Sequence, residues 1–177
     1  MTGATGFVAP YLIKELVARG EQVKALVRDQ QKAADIAEPN VEVVIGDICK
    51  PETLAQAVAD VHTVYHLAAT FRSETLTEAE VNETNVAGTK HMLEAAEAAG
   101  VSRFVHCSTV GVHGVPEHPP ADEAAPYNAD NYVAISKRKG EEVALEFMQH
   151  SKIDVTVVRT GPGIYGPGDT RYLKLFK

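Results

Sequence analysis

A tyrosine and a lysine near the start of one predicted helix, Tyr132 and Lys137 in NYVAISK, are of the right types for acid–base chemistry. A phenol has a pKa of about 10, and a neighbouring ammonium group favours the phenolate and lowers that pKa towards the range of a general acid and base. Side chains four residues apart on a helix stand about 40° apart around its axis, whereas a spacing of five leaves about 140°. Tyr132 lies five residues before Lys137, and Val133 occupies the position four residues before it.

The first residues of the chain, TGATGFVA, have the small side chains of a phosphate-binding turn. Gly3, Gly6 and Ala9 recur at three-residue spacing and lead into a predicted helix. Small residues let a backbone approach a pyrophosphate, and a helix N-terminus offers unpaired N–H groups. Glycine turns also open many helices that bind nothing, so the turn alone leaves both interpretations open. Its candidate dinucleotide-binding residues are Gly3, Thr5, Gly6, Phe7 and Val8.

Further candidates stand at the ends of the next two predicted strands. Arg28 ends one run, where an acid would bind the ribose 2′-hydroxyl of NAD and an arginine suits the 2′-phosphate of NADP. Asp29 is adjacent and keeps NAD possible, and a solvated arginine is the alternative interpretation. Asp47 and Ile48 follow the next run, with Asp47 placed to meet an adenine amino group. A loop aspartate without a ligand is the alternative there.

The elements that must position these residues alternate between apolar β-rich runs and helical patterns. This alternation predicts an α/β fold with a doubly wound, Rossmann-like parallel sheet covered by helices. The predicted strands are EQVKALV, VEVVIG, HTVYHLA, SRFVHCS and DVTVVR. The predicted helices are FVAPYLIKELVARG, PETLAQAVAD, ETNVAGTKHMLEAAEAAG and NYVAISKRKGEEVALEFMQH.

The two ends of the chain indicate an incomplete version of that fold. The glycine turn has no strand in front of it, and in a doubly wound sheet this missing first strand is central. The other end, GPGDTRYLKLFK, stops as a new segment begins. We therefore interpret the sequence as a fragment, and we expect it to fold poorly alone because two strands lose their shared hydrogen-bonding partner. A sharp thermal melt of the chain would contradict this.

Composition and charge argue against several other classes of function. The net charge is −7 and no basic patch is large enough for nucleic acid. No stretch resembles a signal peptide or approaches membrane-spanning length, so we expect a cytoplasmic protein. Cys49 and Cys107 lie in or at the end of apolar runs, which predicts buried free thiols. His62 and His66 are too far apart on a strand for a metal site, and we expect none.

Seven motifs occur in the order found in one protein family: TGATGFVA, GDI, YHLAA, NVAGT, STVGVHG, SK and RTGPGIYGPGD. Together they resemble the extended short-chain dehydrogenases/reductases, the NAD-dependent epimerase/dehydratase group, over nearly the whole chain. The resemblance implies an NAD(P)-binding domain over residues 1–160 and the start of a substrate-binding region over 161–177. It also implies a small-molecule substrate and a possible homodimer that packs through the helices at 81–100 and 131–147.

For the cofactor, the resemblance implies two further groups of residues. Leu67, Ala68 and Ala69 would pass behind the nicotinamide ribose. Gly163 belongs to a loop that would close over the nicotinamide, and Thr160 in that loop replaces the family's usual proline.

For catalysis, the resemblance implies four side chains besides a tyrosine. Thr109, with Ser108 as a second candidate, would bind the reacting carbonyl or alcohol. Lys137 would bind the nicotinamide ribose and lower the tyrosine pKa. Asn85 would hold a proton-relay water, and a solvent-facing helix asparagine is the alternative.

The implied function is hydride transfer between NADP, or NAD, and a carbonyl or secondary alcohol. The first alternative is nucleotide-sugar epimerisation or dehydration, and the second is dinucleotide binding without catalysis. Val133 is the reason for the second, because the family's tyrosine belongs there. An irregular turn or π-bulge could instead rotate Tyr132 into the site, or the sequence could contain a fault. Tyr127 is another phenol nearby but has no lysine at helical spacing.

Overall fold

The computed structural model describes residues 1–36, 38–71, 75–161, 163–167 and 169. The strands β1–β5 are Val23–Val27, Val41–Ile45, Thr63–His66, Arg103–Thr109 and Asp154–Thr160. The α-helices α1–α5 are Ala9–Ala18, Ala55–Val58, Glu78–Asn82, Gly88–Ala98 and Tyr132–His150. Short 3₁₀ turns cover Gln30–Ile36, Pro51–Thr53 and Val110–His113, and a π-helical turn covers Glu83–Ala87. The strands lie where the sequence predicts them, but the helix predicted at 51–60 begins with a 3₁₀ turn and the helix predicted at 83–100 begins with a π turn.

The strands form two parallel sheets with the first residues of the chain between them. β1 pairs with β2, and β4 pairs with β3 on one side and β5 on the other. The Met1 carbonyl accepts a hydrogen bond from Leu26 of β1 at 2.9 Å, and the Thr2 N–H donates to Tyr65 of β3 at 3.0 Å. Two residues therefore link the sheets at the position predicted for the first strand. The thermal behaviour expected of this arrangement stays a prediction.

Helices lie on both faces of the strands, as the doubly wound pattern requires. Neighbouring residues of β1 belong to different cores because successive strand side chains point to opposite faces. Leu26 packs in a core with Leu93 of α4 and Phe104 of β4, whereas Val27 packs in a core with Ile13 of α1. Within the described residues, no helix is both long and apolar enough to cross a membrane.

A pair of buried histidines stands at the centre of the three-stranded sheet. His66 of β3 and His106 of β4 are register partners with ring centroids 5.6 Å apart, and neither is exposed. The hydroxyls of Thr2 and Thr89 bind the His66 ring nitrogens at 3.0 and 3.2 Å. Neither ring nitrogen of His106 has a hydrogen-bond partner among the described residues. Burial, helped by the charge of Lys137, lowers the pKa of His106 from 6.5 to about 3, and burial also lowers that of His66.

We expect the protein to lose stability as the pH falls from 6.5 towards about 3. In this range the unfolded chain binds protons on both histidines while the folded chain keeps them neutral, so the free energy of unfolding falls by up to about 1.4 kcal/mol per pH unit for each histidine. Urea unfolding at several pH values measures this slope, and His106→Leu should make it shallower. The control His62→Leu alters an exposed histidine and should leave it unchanged. An equal slope in His106→Leu would contradict the prediction.

Candidate functional site

Two cavities meet at the carboxyl ends of the strands. The larger has a volume of about 850 Å³ and the smaller about 230 Å³. They share one wall, which consists of Gly3, Gly6, Leu67, Ala69 and Thr70. The glycine turn and the end of β3 therefore join the two cavities into one groove. The groove lies at the carboxyl ends of the parallel strands, where ligands bind in open α/β folds.

The glycine turn makes this close approach possible. Gly3 has a φ of 66°, and a Cβ there would lie 2.7 Å from the Ala68 nitrogen, so a side chain does not fit. The Gly6 N–H donates to the Gly3 carbonyl at 2.9 Å, which tightens the turn. Helix α1 begins at once after Val8, whose side chain cannot cap it. Apart from Pro10, which has no N–H, the first residues of α1 thus offer donors that fit the pyrophosphate predicted there.

The smaller cavity contains the residues predicted for the adenosine end of a dinucleotide. Thr5, Arg28, Asp47, Ile48 and Ala68 all line it. The side chain of Asp29 is engaged elsewhere, because its carboxylate accepts the Gln31 N–H at 2.9 Å. The Asp47 carboxylate also accepts a local N–H, from Cys49 at 3.0 Å. Of the two neighbours at the end of β1, only Arg28 therefore lines the cavity.

The larger cavity contains Thr109 and Lys137, together with Phe7 and Val8. The Thr109 Oγ1 accepts the Gly111 N–H at 3.2 Å, which leaves its own proton to donate. The Lys137 ammonium donates to the Cys107 carbonyl at 2.5 Å. Burial lowers the pKa of Lys137, against smaller opposing contributions from Cys107 and Glu141. A hydroxyl donor and a desolvated ammonium group thus stand in one cavity.

Tyr132 and Val133 both line the larger cavity, but α5 is a regular α-helix from Tyr132 onwards. The irregular turn that could rotate Tyr132 towards Lys137 is not in α5, and the π turn lies at Glu83–Ala87. Tyr132 is 38% exposed and Val133 only 9%. The valine, not the tyrosine, is one helical turn before Lys137.

Asn85 and Ser108, two predicted catalytic residues, are held in other contacts. The Asn85 amide accepts the Thr70 N–H at 2.7 Å and donates to the Thr70 carbonyl and the Ser136 hydroxyl. It lines neither cavity, and its contacts fix the segment that follows β3. Ser108 is 2% exposed and donates to the Glu141 carboxylate at 2.6 Å, so Thr109 is the better placed hydroxyl. The water-holding role of Asn85 stays a prediction.

Sequence reasoning missed a buried ion pair behind the cavity. The Glu141 carboxylate of α5 is bound by Arg159 of β5 at 2.5 Å and by the Tyr127 and Ser108 hydroxyls at 2.6 Å each. Burial raises the pKa of Glu141, but the hydrogen bonds from Arg159, Ser108 and Tyr127 outweigh it and hold the pKa below its ordinary value. The feature of the sequence that could have indicated this pair is the position of Glu141, an acid four residues after Lys137 and therefore on the same face of the helix.

Two further predictions, for Gly163 and for the two cysteines, need adjustment. Gly163 lines neither cavity, although its neighbours Gly161 and Ile164 line the larger one. The two thiols are free but only half-buried. Cys107 lines the larger cavity, because the carboxyl end of β4 opens into it, and burial raises the pKa of its thiol.

Comparisons with known proteins show which family the chain belongs to. Residues 1–176 match the NAD dependent epimerase/dehydratase family. The chain is 33% identical to sterol demethylase protein B of Methylococcus capsulatus, over 97% of this chain and 52% of that protein. It is also 33% identical to the ceramide reductase of Caulobacter vibrioides, over 100% of this chain and 49% of that protein. It spans about half the length of these curated relatives.

A solved structure shows the same fold. The dTDP-glucose 4,6-dehydratase DesIV of Streptomyces venezuelae, with NAD bound, superposes with a TM-score of 0.83 and 27% identity, over 99% of this chain and 60% of that one. The family match covers almost every residue, and six of the seven motifs that carry the resemblance contribute residues to the lining of the groove. The chain therefore belongs to the NAD-dependent epimerase/dehydratase family of extended short-chain dehydrogenases/reductases.

Proposed function

We propose that this protein is an NADP-dependent oxidoreductase that transfers hydride to or from a carbonyl or secondary alcohol of a small molecule. The observation that supports it is the groove itself. The glycine turn is part of the wall between a cavity lined by Arg28 and Asp47 and a cavity lined by Thr109 and Lys137. A dinucleotide that crosses this wall would place its adenosine end in the smaller cavity and its nicotinamide end in the larger.

Arg28 supports NADP over NAD. A guanidinium group suits a 2′-phosphate, whereas NAD needs an acceptor for its ribose hydroxyl. The one acid beside Arg28 is Asp29, and its carboxylate is held by Gln31. NAD remains the alternative cofactor, and DesIV was solved with NAD.

The larger cavity supplies groups for the reaction. When bound, a nicotinamide supplies or accepts the hydride. The Thr109 hydroxyl would donate to the substrate oxygen, where charge develops in reduction. Lys137 would orient the ribose, with its ammonium group moving from the Cys107 carbonyl. The proton that completes an alcohol has no phenol to come from at position 133, so we expect slow turnover.

The lining of the larger cavity favours an uncharged substrate. Lys137 is the only charged side chain among its described lining residues. The names of the two curated relatives refer to a sterol and to ceramide, which are lipids. Nucleotide-sugar epimerisation or dehydration is the alternative within the family, and tight NAD retained through purification would favour it.

Dinucleotide titration tests the proposal. NADPH should bind more tightly than NADH, as measured by the change in reduced-nicotinamide fluorescence. Arg28→Ala should weaken NADPH binding by about tenfold, because a charged hydrogen bond is lost, and should change NADH binding little. The matched control Asp29→Ala should leave the affinity for NADPH unchanged. Equal losses for both cofactors in Arg28→Ala, or no binding of either by the unaltered protein, would contradict the proposal.

A second candidate function is dinucleotide binding without turnover. The observation that favours it is Val133, which faces the cavity where a phenol is needed. NADPH oxidation in the presence of ketones and aldehydes separates the two functions. Tight cofactor binding with no oxidation across the panel would support binding without turnover, and measurable oxidation would exclude that function.

A further inference from the structure

The segment after β5 returns to the opposite side of the groove. Residues 163–167, here called the return segment, reach the first turns of α1. The Tyr11 hydroxyl of α1 donates to the Pro167 carbonyl at 2.7 Å. A Cβ on Gly166 would lie 3.3 Å from the Tyr11 hydroxyl and 3.6 Å from the Phe7 ring, so the backbone here rests on both rings. The return segment is therefore attached at two points, to β5 by the chain and to α1 by Tyr11.

This attachment lies beside the larger cavity. Gly161 and Ile164 line that cavity on the side of β5, and Phe7 and Val8 line it on the side of α1. The return segment connects these two sides. A dinucleotide in the groove would lie against the return segment, and the segment would have to move before the dinucleotide could dissociate.

The phenol of Tyr11 is well placed to hold the return segment in this position. Tyr11 lies four residues after Phe7, and the two rings meet edge to face with centroids 5.7 Å apart. The ring contact orients the hydroxyl towards Pro167. On either side of Pro167, the Asp169 N–H donates to the Gly166 carbonyl at 3.1 Å, so a backbone hydrogen bond flanks the acceptor of the Tyr11 hydroxyl.

We propose that Tyr11 is a positioning residue that latches the return segment over the groove and thereby sets the rate at which the dinucleotide leaves. This inference rests on the proposed function, because it requires a dinucleotide in the groove. Tyr11 lines neither cavity, so it acts through the return segment and not by touching the ligand. It is 49% exposed, and water competes for its hydrogen bond, which limits the expected effect.

Tyr11→Phe removes the hydroxyl and keeps the ring that packs on Phe7. We expect NADPH to dissociate about two- to tenfold faster, the range that one hydrogen bond contributes. Stopped-flow displacement of NADPH by excess NADP measures this rate through the loss of nicotinamide fluorescence. The thermal unfolding temperature of the free protein should not change. The matched control is Tyr165→Phe, on the return segment itself, where the ring is 70% exposed and the release rate should stay the same.

Amide hydrogen exchange of the free protein tests the latch without cofactor. The amides of residues 163–166 should exchange faster in Tyr11→Phe than in the unaltered protein, and not in Tyr165→Phe. Faster exchange with faster NADPH release supports the proposal. Unchanged exchange, or unchanged release from a variant that binds NADPH, overturns it. If the unaltered protein binds no dinucleotide, the proposed function and the effect on release both fail, and exchange alone decides whether Tyr11 holds the segment.

Discussion

Val133→Tyr should raise the rate of hydride transfer by about a hundredfold or more, the usual contribution of a placed general acid. The substitution puts a phenol one helical turn before Lys137, where both side chains share a helix face. In Tyr132 the same phenol stands about 140° away on a regular helix. The gain would therefore come from position, since the chain already has a phenol one residue earlier.

Position 133 borders the space that this phenol would enter. Val133 is 9% exposed and lines the larger cavity with Thr109 and Lys137, so we expect a longer side chain there to extend into that cavity. The ammonium of Lys137 would then favour the phenolate and lower the tyrosine pKa. We expect the thermal unfolding temperature to change little, because the added atoms would lie in the cavity.

Single-turnover oxidation of NADPH with a ketone substrate measures the effect on the chemical step. Tyr132→Phe is the matched control and should leave the slow basal rate unchanged. Val133→Phe adds the ring without the hydroxyl and should give no gain. If Tyr132→Phe abolishes basal turnover, the displaced tyrosine supplies the proton and the present explanation is wrong. If Val133→Tyr binds NADPH and remains as slow as the unaltered protein, the site lacks more than a phenol.

The parts of the site that the sequence predicts depend on local spacing. The glycine turn, the strand ends at Arg28 and Asp47, and the hydroxyl at Thr109 all follow from short motifs beside a strand or helix. Each of them lines the groove. The sequence leaves both Arg28 and Asp29 open as ribose-binding residues, because it does not show which of two adjacent side chains at a strand end faces the groove. In the structure Arg28 lines the smaller cavity, whereas the Asp29 carboxylate accepts the Gln31 N–H.

The parts that the sequence did not predict depend on contacts between distant segments. Asn85 binds Thr70 and Ser136, which are 15 and 51 residues away, and no local pattern indicates those partners. Neither ring nitrogen of His106 finds a partner in the part of the chain that the structure describes, although the sequence of its strand looks ordinarily apolar. Glu141 meets Arg159 only because α5 packs across β5. Each pairing is a product of the fold, so it could be identified only once the fold was known.

Glu141→Gln should lower the free energy of unfolding by about 3–5 kcal/mol, the usual cost of breaking a buried ion pair from one side. The substitution keeps the shape of the side chain and removes its charge. Arg159, whose side chain is only 16% exposed, then lacks a counter-ion. The Tyr127 and Ser108 hydroxyls also lose a charged acceptor, to which hydrogen bonds are stronger than to a neutral one.

Urea unfolding near neutral pH measures this loss, and an exposed pair provides the control. Glu15 binds Arg19 at 2.7 Å with both side chains more than half exposed, so Glu15→Gln should cause no measurable change. The double variant with Glu141→Gln and Arg159→Met should be more stable than Glu141→Gln alone, because it also removes the arginine charge that the single variant leaves without a counter-ion. An additive loss in the double variant would mean that packing, and not the ion pair, accounts for the effect. Since Arg159 directly precedes Thr160 and Gly161, which line the larger cavity, Glu141→Gln should also weaken NADPH binding, a loss that Glu15→Gln should not show.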